Sequence, residues 1–189
     1  MTNYSDRFLR AMYEDPGIFA HEGGLVDHRH DPGGVTNYGI SLRFLRQQGP
    51  IFGDLDGDGD VDADDIRAMD EDDALEIYWK LIWNERQIDG KSVYDLMPYA
   101  QSAARVFDHH VNAGPKSAGM VVQRACRPFG HHLKEDGFIG PNTLKTIHEC
   151  SSALLWPLKS ERAGFYRYLT ARNGDFRSFI NGWLRRAYH

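Results

Sequence analysis

Apolar residues recur at helical spacing along most of the chain, and the places where that spacing fails are as informative as where it holds. Phe8, Leu9 and Met12, then Ile18, Phe19 and Ala20, predict a helix over residues 5–21. Ser5 and Asp6 can cap it, Asp15-Pro16-Gly17 interrupts it, and Gly23-Gly24 ends it. Between residues 25 and 40 no helical period is sustained; Val35, Tyr38 and Ile40 with the turn chemistry of Asp31-Pro32-Gly33-Gly34 predict a short β-hairpin. Leu42 and Leu45 mark a short helix that stops at Gly49-Pro50. Ile66 to Trp83 is a strongly apolar helical stretch, capped by Asp70 or Asp72. Pro98 opens a further helix with Ala100, Ala103, Ala104, Phe107 and Val111 on its inner side, ending at Asn112-Ala113-Gly114. Val121, Val122 and Ala125 predict another, and Asp136 to Leu144 a turn and a new helix start. Lys159 to Arg172 follows. Asp175 caps a last helix whose core face is Phe176, Phe179, Ile180, Trp183 and Leu184, with Arg167, Arg177, Arg185 and Arg186 turned to solvent or an anionic partner. The fold class is mainly α, with one small β element near residues 25–40.

At 189 residues, 41% hydrophobic and 26% charged, the composition is that of a soluble globular chain of ordinary domain size. No run of 18 apolar residues occurs, so no transmembrane helix is expected. The N-terminal stretch lacks the apolar core of a secretory signal, so synthesis in the cytoplasm is expected. Cys126 and Cys150 fit neither a metal motif nor a disulfide framework and read as free, semi-buried thiols. The net charge of -5 conceals an asymmetry. Of 27 acids and 22 bases, eleven acids and one base lie within residues 54–73, which leaves 16 acids against 21 bases elsewhere. The body of the chain is mildly basic and its C-terminal tail more so, which suits either an anionic polymer or surface as partner or a plainly solvated helix face.

The chemistry is concentrated between His21 and Ser41. Glu22 follows the apolar Phe19 and Ala20 at a helix C-terminus, where burial and the negative end of the helix dipole both disfavour the carboxylate. Those are the conditions of a general acid working near neutral pH. Asp31 stands eight residues further on as a second carboxylate, with Asp27 as a rival for that role. Thr36 can position a water. His28, Arg29 and His30 lie between the acids; without a third ligand they read as substrate contacts rather than a metal site, Arg29 and His30 above all. His109-His110 likewise lacks metal partners and reads as surface or cleft lining. The Trp79/Trp83 pair, spaced i and i+4, is either core or a stacking platform.

A second motif begins at Asp54. Laid on the twelve-residue calcium loop, Asp54, Asp56, Asp58, Asp60, Asp62 and Asp65 fall at positions 1, 3, 5, 7, 9 and 12, with Gly59 at the turn position 6. Position 12 is Asp rather than the usual Glu, as in dockerin-type loops. A bound Ca2+ is therefore expected here, in a structural role; no cofactor is needed for the chemistry itself.

The stretches E-G-G and D-P-G-G-V-T-N-Y-G-I resemble the signature of the glycoside hydrolase family 108 N-acetylmuramidases, phage endolysins and related lysozyme-like enzymes. The pattern G-P…Q…D-G-x-I-G-P-x-T-L is similar to the helical peptidoglycan-binding segment that follows the catalytic part in that family. The resemblance covers about residues 8–48 and 74–186, and the acidic loop is an insert between. It implies a lysozyme-like helical fold with a catalytic region over 1–110 and a peptidoglycan-binding region over 111–189. It further implies hydrolysis of the β-1,4 bond between N-acetylmuramic acid and N-acetylglucosamine, with Glu22 as acid, Asp31 and Thr36 as its partners and Tyr38 lining a sugar subsite. A monomeric endolysin released through a holin pore onto periplasmic peptidoglycan is the expected setting. A secreted effector, a lytic transglycosylase and a calcium-dependent wall-binding module are the alternatives.

Overall fold

The computed structural model describes residues 2–14, 17–21, 24–26 and 34–189. Among them the predicted first helix is two: α1, Asp6–Tyr13, and α2, Ile18–His21. Ser5 caps α1, its side chain accepting from the Phe8 amide. A Cβ on Gly17 would lie 2.1 Å from the Met12 carbonyl oxygen, so only glycine lets the chain pass so close between the two helices.

The expected hairpin is formed by β1, Thr36–Asn37, and β2, Ile40–Ser41, paired antiparallel, with a bridge from Thr36 out to Val26. Ser41 then caps α3, Leu42–Gln48, and α4, Pro50–Gly53, precedes the acidic loop. The loop feeds α5, Ala63–Ala68, capped by Asp62, and Asp70 caps α6, Glu71–Ile77; each is closed by a reciprocal capping box. Helix α6 continues as a π-helical turn, Tyr78–Trp83. A second hairpin, β3 (Gln87–Ile88) and β4 (Lys91–Ser92), turns at Asp89-Gly90, both at positive φ. Helices α7 (Val93–Leu96), α8 (Ala100–Ala113), α9 (Pro115–Ala125), α10 (Pro141–Glu149), α11 (Leu155–Arg172) and α12 (Ile180–Tyr188) complete the chain.

Helix α8 is the axis of the molecule. It packs on α1 from the N-terminal side and on α9 and α11 from the C-terminal side. Six consecutive residues, Arg105 to His110, are consequently buried, a pattern that only a helix enclosed all round can show. The aromatic core lies against it: Phe107 meets Trp83 at 4.8 Å and Tyr94 at 5.4 Å between ring centroids, and Phe8 closes on Trp83 at 5.4 Å. Trp83 is fully buried and Trp79 packs on Phe8 and Tyr4, so this pair is core rather than a sugar platform.

Three expectations for the C-terminal region are corrected. The face predicted as core on the last helix is only half-covered, and Phe179 is exposed; Asn173, not Asp175, supplies the cap, ahead of a 3-10 turn at Gly174–Ser178. Arg186, expected at the surface, is buried, because it reaches inward to Asp108 on α8. His109 is corrected likewise: it is completely buried, wedged against Phe165 and Tyr166 of α11. Cys126 and Cys150 are free and buried.

Candidate active site

Thr36 and Tyr38 sit on the first hairpin, and three attachments fix that hairpin. The backbones of Val26 and Thr36 exchange two hydrogen bonds, of 2.8 and 2.9 Å. The buried side-chain amide of Asn37 donates to the Ile66 and Met69 carbonyls at the end of α5, both at 3.1 Å. The Tyr78 hydroxyl donates to the Tyr38 carbonyl at 2.9 Å. Tyr38 itself lies at φ 48°, a left-handed conformation that costs a bulky residue free energy and persists only where its surroundings enforce it. Its ring packs edge-on against Phe19 of α2, at 5.7 Å. Helix α2 thus lies beside the hairpin, and it ends at His21, the residue before Glu22. Glu22, Asp31, Arg29 and His30, together with Asp27 and His28, lie outside the described residues.

Behind α2 is a buried cluster of charge. Asp108 accepts from Arg162 and, at 2.9 Å, from Arg186. Burial alone would raise its pKa, but the Arg186 and Arg162 guanidiniums hold it below the usual carboxylate range. His109 is driven the other way: burial first, then the charge of Arg162, lower its pKa to about 3, so the ring is neutral, its Nε2 2.9 Å from the Ser117 hydroxyl. The His189 backbone oxygen accepts from Arg105 at 2.7 Å, and the His21 and His189 rings lie 6.2 Å apart, so His189 lies against this cluster.

On the other side of the hairpin a cavity of about 490 Å³ runs between Gly39, Ile40 and Ser41 on one wall and the π-helical turn and the end of α8 on the other. Its floor carries Glu85 and His110. The Tyr94 hydroxyl lies 2.6 Å from His110 Nδ1, and His110 Nε2 lies 3.2 Å from Glu85. Burial raises the Tyr94 pKa, so that phenol keeps its proton and donates to Nδ1, which leaves Nε2 to donate to Glu85. That hydrogen bond lowers the Glu85 pKa against the opposing effect of burial. Glu85 is therefore an anion held in the cleft, suited to accept hydrogen bonds from a substrate rather than to protonate one. Tyr94 of α7, His110 of α8 and Glu85 of the turn before β3 share no local pattern; the sequence reads His110 as surface or cleft lining and gives no signal for the other two.

Five of the six loop aspartates fall into two carboxylate groups that share Asp65. Oxygens of Asp54, Asp56 and Asp65, and of Asp60, Asp62 and Asp65, lie within 4.8 Å of one another. Asp65 is buried and accepts from the amides of Leu55 (2.6 Å) and Asp62 (2.6 Å), which closes the loop on itself. Val61 packs on Gly53, and its carbonyl accepts from Arg46 at 2.9 Å, tying the loop to α3 and α4. Crowding by Asp58 raises the pKa of Asp60, the repulsion a cation would relieve. The donor set, oxygen alone, fits a hard divalent ion.

Residues 16–114 match the family model described as Glycosyl hydrolase 108. The chain belongs to that family. Residues 117–188 match a second model, described as a Predicted Peptidoglycan domain. The two Glycosyl hydrolase 108 and peptidoglycan segments meet between α8 and α9, and together they make the chain a glycoside hydrolase of the cell wall with a muramidase role. A solved structure titled "Structure of Brucella abortus SagA" is 28% identical; the match covers 95% of this chain and 88% of that one, with a TM-score of 0.71. That likeness spans both segments and agrees with a mainly α, lysozyme-like fold. Comparison with curated protein sequences gives no match. Among the described residues no helix is long and apolar enough to cross a membrane.

Proposed function

We propose that the chain hydrolyses the β-1,4 bond between N-acetylmuramic acid and N-acetylglucosamine in peptidoglycan, with Glu22 as the general acid. Asp31 is the second carboxylate, and Thr36 positions the attacking water. Arg29, His30 and Tyr38 contact the substrate. The observation that carries this reading is the Glycosyl hydrolase 108 match across residues 16–114, which contains E-G-G and D-P-G-G-V-T-N-Y-G-I. The chemistry needs one protonated carboxyl at the leaving oxygen and one anion near the anomeric carbon or its water. A hairpin pinned at Asn37 and at the strained Tyr38 supports it, since a reacting group displaced by an ångström costs orders of magnitude in rate.

The setting proposed is lysis of a bacterial wall by a monomeric endolysin that reaches periplasmic peptidoglycan by a holin-type route, with basic residues of the tail facing the anionic envelope. Calcium in the loop is part of the same proposal: side-chain oxygens of Asp54, Asp56, Asp58, Asp62 and Asp65 and the carbonyl of Asp60 would hold it, in a structural role.

The test is product analysis of purified peptidoglycan digested by the wild type and by Glu22→Gln. New reducing ends on muramic acid, reduced by at least about a hundredfold in the variant, are expected. Anhydro-muramic ends would replace hydrolysis with a lytic transglycosylase. Binding to the wall by both proteins with no released fragments would leave only a binding module.

A further inference from the structure

The cavity beside the hairpin does not end at Glu85 and His110. Those two residues also line a second cavity, of about 410 Å³, which opens toward the C-terminal segment and is walled by Arg86, Lys116, Asp136 and Phe138. The two cavities share Ile82, Glu85, His110 and Pro115 as a common wall, and the second lies on the seam between the two family segments.

Phe138 is the unusual wall. The residue is 53% exposed, yet its backbone is fastened on every side. The buried Gln123 donates to the Phe138 carbonyl at 3.2 Å and accepts from the Gly137 amide at 3.0 Å; Thr143 donates to the same carbonyl, and Asp136 accepts from the Phe138 amide. Gly137 in turn presses on α9, where a Cβ on Gly119 would stand 2.0 Å from the Gly137 oxygen. The Arg86 guanidinium, from the catalytic segment, lies 3.5 Å from the ring centroid. A large apolar surface is thus held out rigidly, and a ligand meeting it forfeits little further ordering entropy.

The polar groups of the wall are balanced. Glu85 and Asp136 both have lowered pKa values, through their hydrogen bonds to His110 and to Gln123, and are anions at neutral pH. Arg86 and Lys116 are cations. Two acceptors beside an aromatic face suit the hydroxyls and acetamides of a sugar, and the two cations suit the lactyl carboxylate that a peptide-free muramic acid carries.

We propose that this seam cavity is a saccharide subsite, which holds sugars of the glycan strand away from the bond being cut, with Phe138 and Arg86 as its wall and Glu85 and Lys116 as its hydrogen-bonding groups. The inference rests on the muramidase reading and deepens it: the substrate is a strand several sugars long, gripped by both segments at once.

The test uses the full chain as Glu22→Gln, titrated by calorimetry with peptide-free glycan strands, with peptide-bearing strands and with the tetrasaccharide. Long strands bind more tightly than the tetrasaccharide, and adding Phe138→Ala or Arg86→Ala removes roughly five- to tenfold of that preference. Melting curves check that both variants fold. An undiminished length preference in both variants overturns the proposal. So does a loss seen only with peptide-bearing strands, which would make the cavity a peptide site. A wild type that releases no reducing ends would instead count against the muramidase reading, and the titration is blind to that.

Discussion

His109 is the residue whose chemistry departs furthest from its sequence reading. Its pKa is lowered to about 3 by burial and by Arg162, while in the unfolded chain an imidazole titrates near 6.5. Asp108 opposes the shift, and Arg186 and His110 add to it. Between those two values the unfolded state binds a proton that the folded state refuses, so stability is full above about pH 6.5 and falls as the pH drops toward 3. Replacing His109 by Gln should flatten that fall, by on the order of a few kcal/mol between about pH 7 and about pH 4.5. Urea unfolding of both proteins at the two pH values measures it, and equal slopes would sink the idea. Nothing in the local sequence marked His109, Asp108 or Arg186 as interior, because their pairing joins α8 to residues up to 78 positions away.

Among elements, the acidic loop was the most legible. Its aspartates, its glycines and the Asp70 cap are local chemistry, and Asp70 stands where the spacing placed it; the reciprocal capping boxes at Asp62 and Asp70 are equally local but were not anticipated. What spacing alone does not convey is that the loop feeds the site: α5 follows it directly, and the end of α5 supplies both carbonyls that hold Asn37. Saturating calcium should therefore raise Tm, the gain growing as RT ln(1 + [L]/Kd), on the order of 3 kcal/mol at a hundred times Kd. EGTA should reverse it and also weaken activity through the loosened hairpin. A Tm indifferent to both would remove calcium from the account. The second hairpin was missed although Asp89-Gly90 is a strong turn signal; its strands are two residues each, too short to show alternation.

For the whole molecule, the two family segments share one interior. Asp108 on α8 has its cations on α11 and α12, Arg105 holds the His189 backbone oxygen, and Arg86 covers Phe138. Breaking a buried ion pair by removing one side costs about 3–5 kcal/mol, which is much of an ordinary domain's stability. The intact chain should accordingly unfold in a single transition. A chain ending at Gly114, with Asp108 unpaired and one side of α8 bare, should show no cooperative transition. Two separable transitions in the intact protein, or a folded 1–114 fragment, would show the segments to be independent.

The sequence by itself determined the helical regions, the first hairpin, the spacing of the acidic loop and, through E-G-G and D-P-G-G-V-T-N-Y-G-I, the residues proposed for the chemistry. Each depends on neighbours within a dozen positions, where caps, turns and periodicity act. The tertiary structure alone decided that α8 is enclosed, that Trp83 is core, that Arg186 turns inward, and that Glu85, His110 and Phe138 meet in the wall of one cavity. Those outcomes depend on which distant surfaces close over a helix, and a helical period records how one face differs from another, not what comes to cover either.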